Sequence, residues 1–115
     1  MLAAAVLAAC APVQLRTARA PTETCELALT SGSLERHPQT GLGIANGDGV
    51  LAVEWPFGYT ARTDVNLLQL VDERGQVVAR EHDRVNVGGS MADDAGPNPV
   101  WRACGPVTVE SNVGG

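Results

Sequence analysis

The 115-residue chain has no lysine: all eight of its cations are arginines. It therefore has no phosphate-loop lysine and no Schiff-base lysine. Cations are outnumbered by 13 acids, for a net charge of −5. That balance excludes a basic nucleic-acid binder, which would carry the opposite surplus. Aromatics are scarce, with only Trp55, Phe57, Tyr59 and Trp101. No apolar run approaches the roughly 20 residues of a membrane-spanning helix. The length suits one domain rather than two.

The chain does have a short apolar leader. Leu2 to Ala9 reads L-A-A-A-V-L-A-A, the length and character of the apolar region of an export signal. It ends in Leu7-Ala8-Ala9-Cys10. Small residues let the backbone enter a signal peptidase extended, and the cysteine that follows offers a thiol. This order resembles the lipobox of bacterial lipoproteins. The resemblance implies a diacylglycerol on Cys10, cleavage just before it and acylation of the new amine. It also implies a place in the bacterial cell envelope, membrane-anchored and extracytoplasmic, at the cell surface or in the periplasm. Two or three acyl chains anchor firmly, since each buried CH₂ contributes about 0.8 kcal/mol.

If Cys10 carries lipid, Cys25 and Cys104 remain in an oxidising compartment, and only one pairing is open to them. A disulfide closing so long a loop restricts the unfolded chain by about 4–5 kcal/mol in the entropy model. A small core needs such a staple. The competing readings are a metal site, which lacks the close pairs such sites use, and a catalytic thiol, for which no activating base can be placed.

The sequence divides into a signal peptide (1–9), a lipidated tether (10–24), a domain (25–110) and a flexible tail (111–115). The tether contains Pro12 and Pro21, shows no periodicity, and carries Arg16 and Arg19, which suit anionic headgroups or plain solvent. From Cys25 onward the pattern is β. All 13 glycines lie beyond residue 31, and no long window keeps a helical period. Strands are expected over Glu26–Glu35 (Leu27 and Leu29 inward), Leu42–Ala45, Val50–Trp55, Leu67–Val71, Gln76–Arg80, Arg84–Val87, Val100–Cys104 and Val107–Glu110. Asn46-Gly47-Asp48-Gly49 and Asp72-Glu73-Arg74-Gly75 supply the positive φ values of tight hairpins. An all-β fold follows, a small barrel or compact sandwich of about 6–8 short antiparallel strands, because an open sheet would leave edges and one apolar face uncovered.

Asp72 to Gly89, D-E-R-G-Q-V-V-A-R-E-H-D-R-V-N-V-G-G, resembles a hairpin-plus-strand unit of OB-like barrels and of small exported proteins of unknown role. An acidic domain lacks the cationic groove that oligonucleotides demand, so nucleic-acid binding is not carried over.

Three of the four aromatics fall in Trp55-Pro56-Phe57-Gly58-Tyr59. Trp55 continues the inward face of its strand. Phe57 and Tyr59 either line a surface groove for a ligand ring or sugar, or plug a barrel corner with the tyrosine hydroxyl on a carbonyl. Gly88–Pro99 is the longest turn-rich stretch, expected beside that corner. Its Asp93, Asp94 and Asn98 offer oxygens but not the alternating spacing of a calcium loop, so no metal is expected. Arg80-Glu81-His82-Asp83-Arg84 reads as a solvated face with local ion pairs. A hydrolase would have to join His37 or His82 to a carboxylate and to Ser31, Ser33 or Ser90, none of which sits in a nucleophile elbow. The spacing of Glu35 and Glu54 argues no carboxylate pair. The function expected is a non-enzymatic, cofactor-free envelope lipoprotein that binds a protein or small ligand at Phe57 and Tyr59. The alternatives are a structural accessory subunit of an envelope complex and a small hydrolase.

Overall fold

Asn46 and Gly49 close one of the predicted hairpins, and the computed structural model shows it: Asn46 N–H donates to the Gly49 carbonyl at 3.4 Å. The structure describes residues 12–21, 25, 28–47, 49–92 and 99–110. The leader, Cys10, Glu26, Leu27, Asp48, the stretch 93–98 with Asp93, Asp94 and Asn98, and the tail 111–115 lie outside the described residues.

The described residues form nine strands: β1 (Pro12–Val13), β2 (Ala28–His37), β3 (Gly41–Ala45), β4 (Val50–Glu54), β5 (Thr60–Asp64), β6 (Leu67–Val71), β7 (Val77–Arg80), β8 (Arg84–Met91) and β9 (Val100–Val109). The fold is all-β, as the sequence predicts. Five strands close a barrel in the order β2-β3-β4-β9-β8, and the other four form a sheet in the order β1-β5-β6-β7. The barrel closes out of sequence order. Its β3–β4 hairpin is followed by the whole β5-β6-β7 meander before β8 and β9 complete the wall. One pair departs from the antiparallel expectation: β4 and β9 run parallel, with Ala52 opposite Val100 and Glu54 opposite Arg102.

Alternation explains which residues fill the barrel. Along β8, Val85, Val87 and Gly89 are buried while their neighbours are not. Trp101, Ala103 and Val107 are buried along β9, next to Val100, which is buried at the strand's start. With Leu34, Leu42, Ile44, Val53 and Trp55 they form a core shared with Ala61, Leu68, Leu70 and Ala79 of the second sheet, so barrel and sheet are one unit. The inward parity of β2 is that of Gly32 and Leu34; Leu29 has the other parity and is 65% exposed, against the inward place expected for it.

Three other expectations are corrected. Val100–Cys104 and Val107–Glu110 are one strand, not two. The register shifts between Val87↔Val107 and Gly89↔Ala103, so Cys104, Gly105 and Pro106 face Gly88 alone as a bulge, where a strand tolerates proline. Gly88 to Met91 are strand β8 rather than loop. Residues 12–18 are not a free tether. Pro12 and Val13 pair with Arg62 and Ala61. Beyond them Arg16 N–H donates to Thr40 O (3.0 Å), Trp55 N–H to Arg16 O (2.9 Å) and Ala18 N–H to Trp55 O (2.9 Å). An extended segment without periodicity pairs through its backbone, which leaves no side-chain signature.

Strand β5, Thr-Ala-Arg-Thr-Asp, has no apolar alternation and is absent from the sequence reading. It is held by its neighbours on both sides, β1 and β6.

Candidate functional site

Trp55 ends the barrel wall. Its ring is buried, and Nε1–H donates to the Leu42 carbonyl at 3.0 Å. The same carbonyl accepts from Thr40 Oγ1 at 2.8 Å. With the tryptophan fixed, Pro56 starts a turn closed by Tyr59 N–H to Pro56 O at 3.1 Å. Gly58 takes the left-handed position with φ 87°. Phe57 therefore stands on a turn rather than on a pleated face, and the residue is 47% exposed. Tyr59, half-buried, packs against the shared core.

These rings face a groove of about 370 Å³ with Pro56, Val78 and Val107 as its other apolar lining. One wall is the Asp72–Gly75 turn. Asp72 builds it by accepting the Arg74 and Gln76 N–H groups, each at 2.9 Å, on its side chain. The opposite wall is the β9 bulge, Cys104 to Pro106. The bulge also brings Cys104 to Cys25: the predicted disulfide is present, with Cα atoms 5.5 Å apart across a sequence separation of 79. Burial raises the Tyr59 pKa above the ordinary phenol value; Glu73 and Asp72 raise it further, and Arg74 opposes them. The hydroxyl thus stays protonated and is a donor at neutral pH. The groove offers two rings, an aliphatic floor, a phenol and a rim of two carboxylates beside one guanidinium.

Pro99, the described residue that ends the Gly88–Pro99 segment, lines a different groove with His37, Gln39 and Asn46. None of the described residues of that segment lines the Phe57 groove itself, though Gly88 lies opposite the bulge that walls it.

A second cluster lies where β2 meets the β7–β8 turn. His82 N–H donates to Leu34 O at 2.6 Å and Leu34 N–H to Asp83 O at 2.8 Å. This linkage places the His82 Nδ1 3.2 Å from each Glu35 oxygen. Arg36 Nε donates to both oxygens of Glu81, at 3.1 and 3.0 Å, and Leu68 N–H donates to one of them at 3.0 Å. Glu81 is buried, against the expectation of a wholly solvated face with local pairs; its partner lies 45 residues away. Burial alone would raise its pKa, but the Arg36 and Leu68 hydrogen bonds and the charges of Arg36 and His82 outweigh burial and lower it. The hydrogen bond and charge of Glu35 raise the pKa of His82. Glu35, Glu81 and His82 present three ligand atoms within 4.8 Å of one another. The Glu81 oxygens already accept from a guanidinium, whose charge opposes a cation there. The arrangement is an ion-pair clamp.

His82 faces Glu35, while the Ser31 hydroxyl bonds the Asn86 side chain. His37 Nδ1 instead accepts the Gln39 and Thr40 N–H groups at 3.1 and 3.3 Å, and burial lowers its pKa. Glu35 and Glu54 take separate partners, since Glu54 lies 3.4 Å from Arg16 and 3.9 Å from Arg102.

Comparison with known families, curated proteins and solved structures finds no match to this chain.

Proposed function

We propose that the chain is a membrane-anchored envelope lipoprotein, acylated at Cys10, whose barrel domain binds its ligand without chemistry in the Phe57–Tyr59 groove. The carrying observation is the 47% exposure of Phe57 beside half-buried Tyr59 in one groove. An exposed ring on a turn does nothing for the core, yet it adds contact area and a stacking face to a concavity. The lipobox order and the Cys25–Cys104 disulfide support export to an oxidising compartment.

Phe57→Ala and Tyr59→Ala test the site. The protein is purified from detergent-solubilised membranes, and what co-purifies is identified by mass spectrometry. A small molecule or protein held by the wild type and lost from both variants, with thermal unfolding still cooperative, supports the reading. A stoichiometric partner retained by both variants places the interaction elsewhere and overturns the groove as the site. The mass of the mature amino-terminal peptide tests the anchor: an unmodified Cys10 overturns it.

A further inference from the structure

The β5–β6 hairpin turns on two residues, Val65 and Asn66, with Asp64 paired to Leu67 behind them. Both take left-handed φ values, 51° and 68°. Glycine and asparagine suit such a turn, whereas a β-branched side chain there is strained. Val65 is also 80% exposed, and Leu67, the next apolar residue, is 37% exposed. Val65 therefore buries little within the domain, and Leu67 leaves part of its side chain uncovered beside it.

Strand β1 indicates what the two side chains meet. Val13 pairs with Ala61 and Pro12 with Arg62, antiparallel to β5. The chain running back from Val13 to Pro12 therefore heads along β5 towards Asp64 and the hairpin tip. Cys10 is two residues before Pro12 and can stand no more than about 7 Å from it. Arg36 braces the same tip, donating to the Asn66 carbonyl at 2.9 Å, and Arg62 lies opposite Pro12.

We propose that the Val65–Leu67 tip is a membrane contact: within chain reach of the acylated cysteine, it inserts its two apolar side chains into the interface of a phospholipid bilayer, with Arg62, and Arg36 in its pair with Glu81, at headgroup level. The inference rests on the lipoprotein reading of Cys10. It replaces a domain swinging on a tether with one lying on the bilayer in a fixed orientation. Apolar side chains and flanking arginines are the composition of an interfacial anchor.

The test uses the full lipidated chain reconstituted in phosphatidylcholine–phosphatidylglycerol vesicles containing lipid brominated on its acyl chains. Val65→Trp and Leu67→Trp report the tip, and Gln76→Trp, at the opposite end of the same sheet, is the reference. Buried Trp55 and Trp101 give all three a common background. Quenching of the two tip variants at least twofold above the reference supports the proposal. Equal quenching of Val65→Trp and Gln76→Trp, with Cys10 acylated, overturns the tip contact and leaves the anchor standing. An unmodified Cys10 overturns both.

Discussion

Gly58 and Glu73 touch backbone to side chain: a Cβ built on Gly58 would lie 2.8 Å from the Glu73 Cβ. The aromatic turn and the Asp72–Gly75 turn thus fit only because position 58 has no side chain, and the groove between Phe57 and Glu73 depends on that fit. Gly58→Ala adds both this clash and the cost of a left-handed alanine. It should destabilise the domain by about 2 kcal/mol, read from denaturant midpoints. It should also weaken ligand retention, because one wall is pushed from the other.

Cys25→Ser with Cys104→Ser should lower stability by about 4 kcal/mol, the scale set by the length of the loop the bond closes. Thermal unfolding with and without reductant measures it. Two free thiols in the unreduced, denatured wild-type protein would show the bond is not formed in solution.

Val65→Asn should stabilise the domain by about 0.5–1 kcal/mol in water. It relieves a β-branched residue held at φ 51° and gives up no burial. Chemical denaturation of the unlipidated domain checks the sign. A loss of stability would mean that Val65 packs in the folded state more than its exposure shows.

The pKa values of the two histidines should be displaced in opposite directions from the ordinary imidazole value. The Glu35 hydrogen bond raises His82, so its contribution to stability is present below the unfolded value near 6.5 and fades as the pH rises through the higher folded value. Burial lowers His37, so its contribution is present above 6.5 and is lost as the pH falls through the lower folded value. Proton NMR of the imidazoles from pH 5 to 8 separates them. Glu35→Gln should bring His82 back towards 6.5 and leave His37 in place.

Glu81→Ala should cost about 2 kcal/mol, because it strands the buried Leu68 N–H and removes the Arg36 partner. In the wild type the Glu81 pKa is lowered, so this contribution is present above about 4.5 and disappears as acid protonates the folded carboxylate. The stability difference between wild type and Glu81→Gln should therefore narrow in acid, followed by denaturant titration at pH 7 and pH 3.

The elements that the sequence announces are those where side-chain period and turn chemistry agree. Leu67–Val71, Asp72–Gly75 and the strand before Arg80 all lie where short apolar runs flanking a glycine turn place them. That Phe57 and Tyr59 lie close together is legible because scarce aromatics cluster on a Pro-Gly turn, and the structure shows them lining one groove. Strands β1 and β5 are not legible. Each is short, polar or proline-bearing, and its place is set by backbone hydrogen bonds to a partner far away in sequence. The clamp of Arg36 on Glu81 is hidden for the same reason. Charges at local spacing suggest local pairs, and only the barrel brings residues 36 and 81 together. The bulge at Cys104–Pro106 is hidden because Gly-Pro signals a break equally well as a kink within a continuous strand.

Strand β9 forms both remaining seams of the barrel, parallel to β4 and antiparallel to β8. In chain order every other stave precedes the last, and the barrel around Leu34, Ile44 and Val53 is not closed without Val100–Val109. Closure belongs to the end of synthesis. A thread crossing a narrow pore amino-terminus first would keep this cylinder open throughout its passage, and stopping the message before Val100 would release a half-shell with two raw edges.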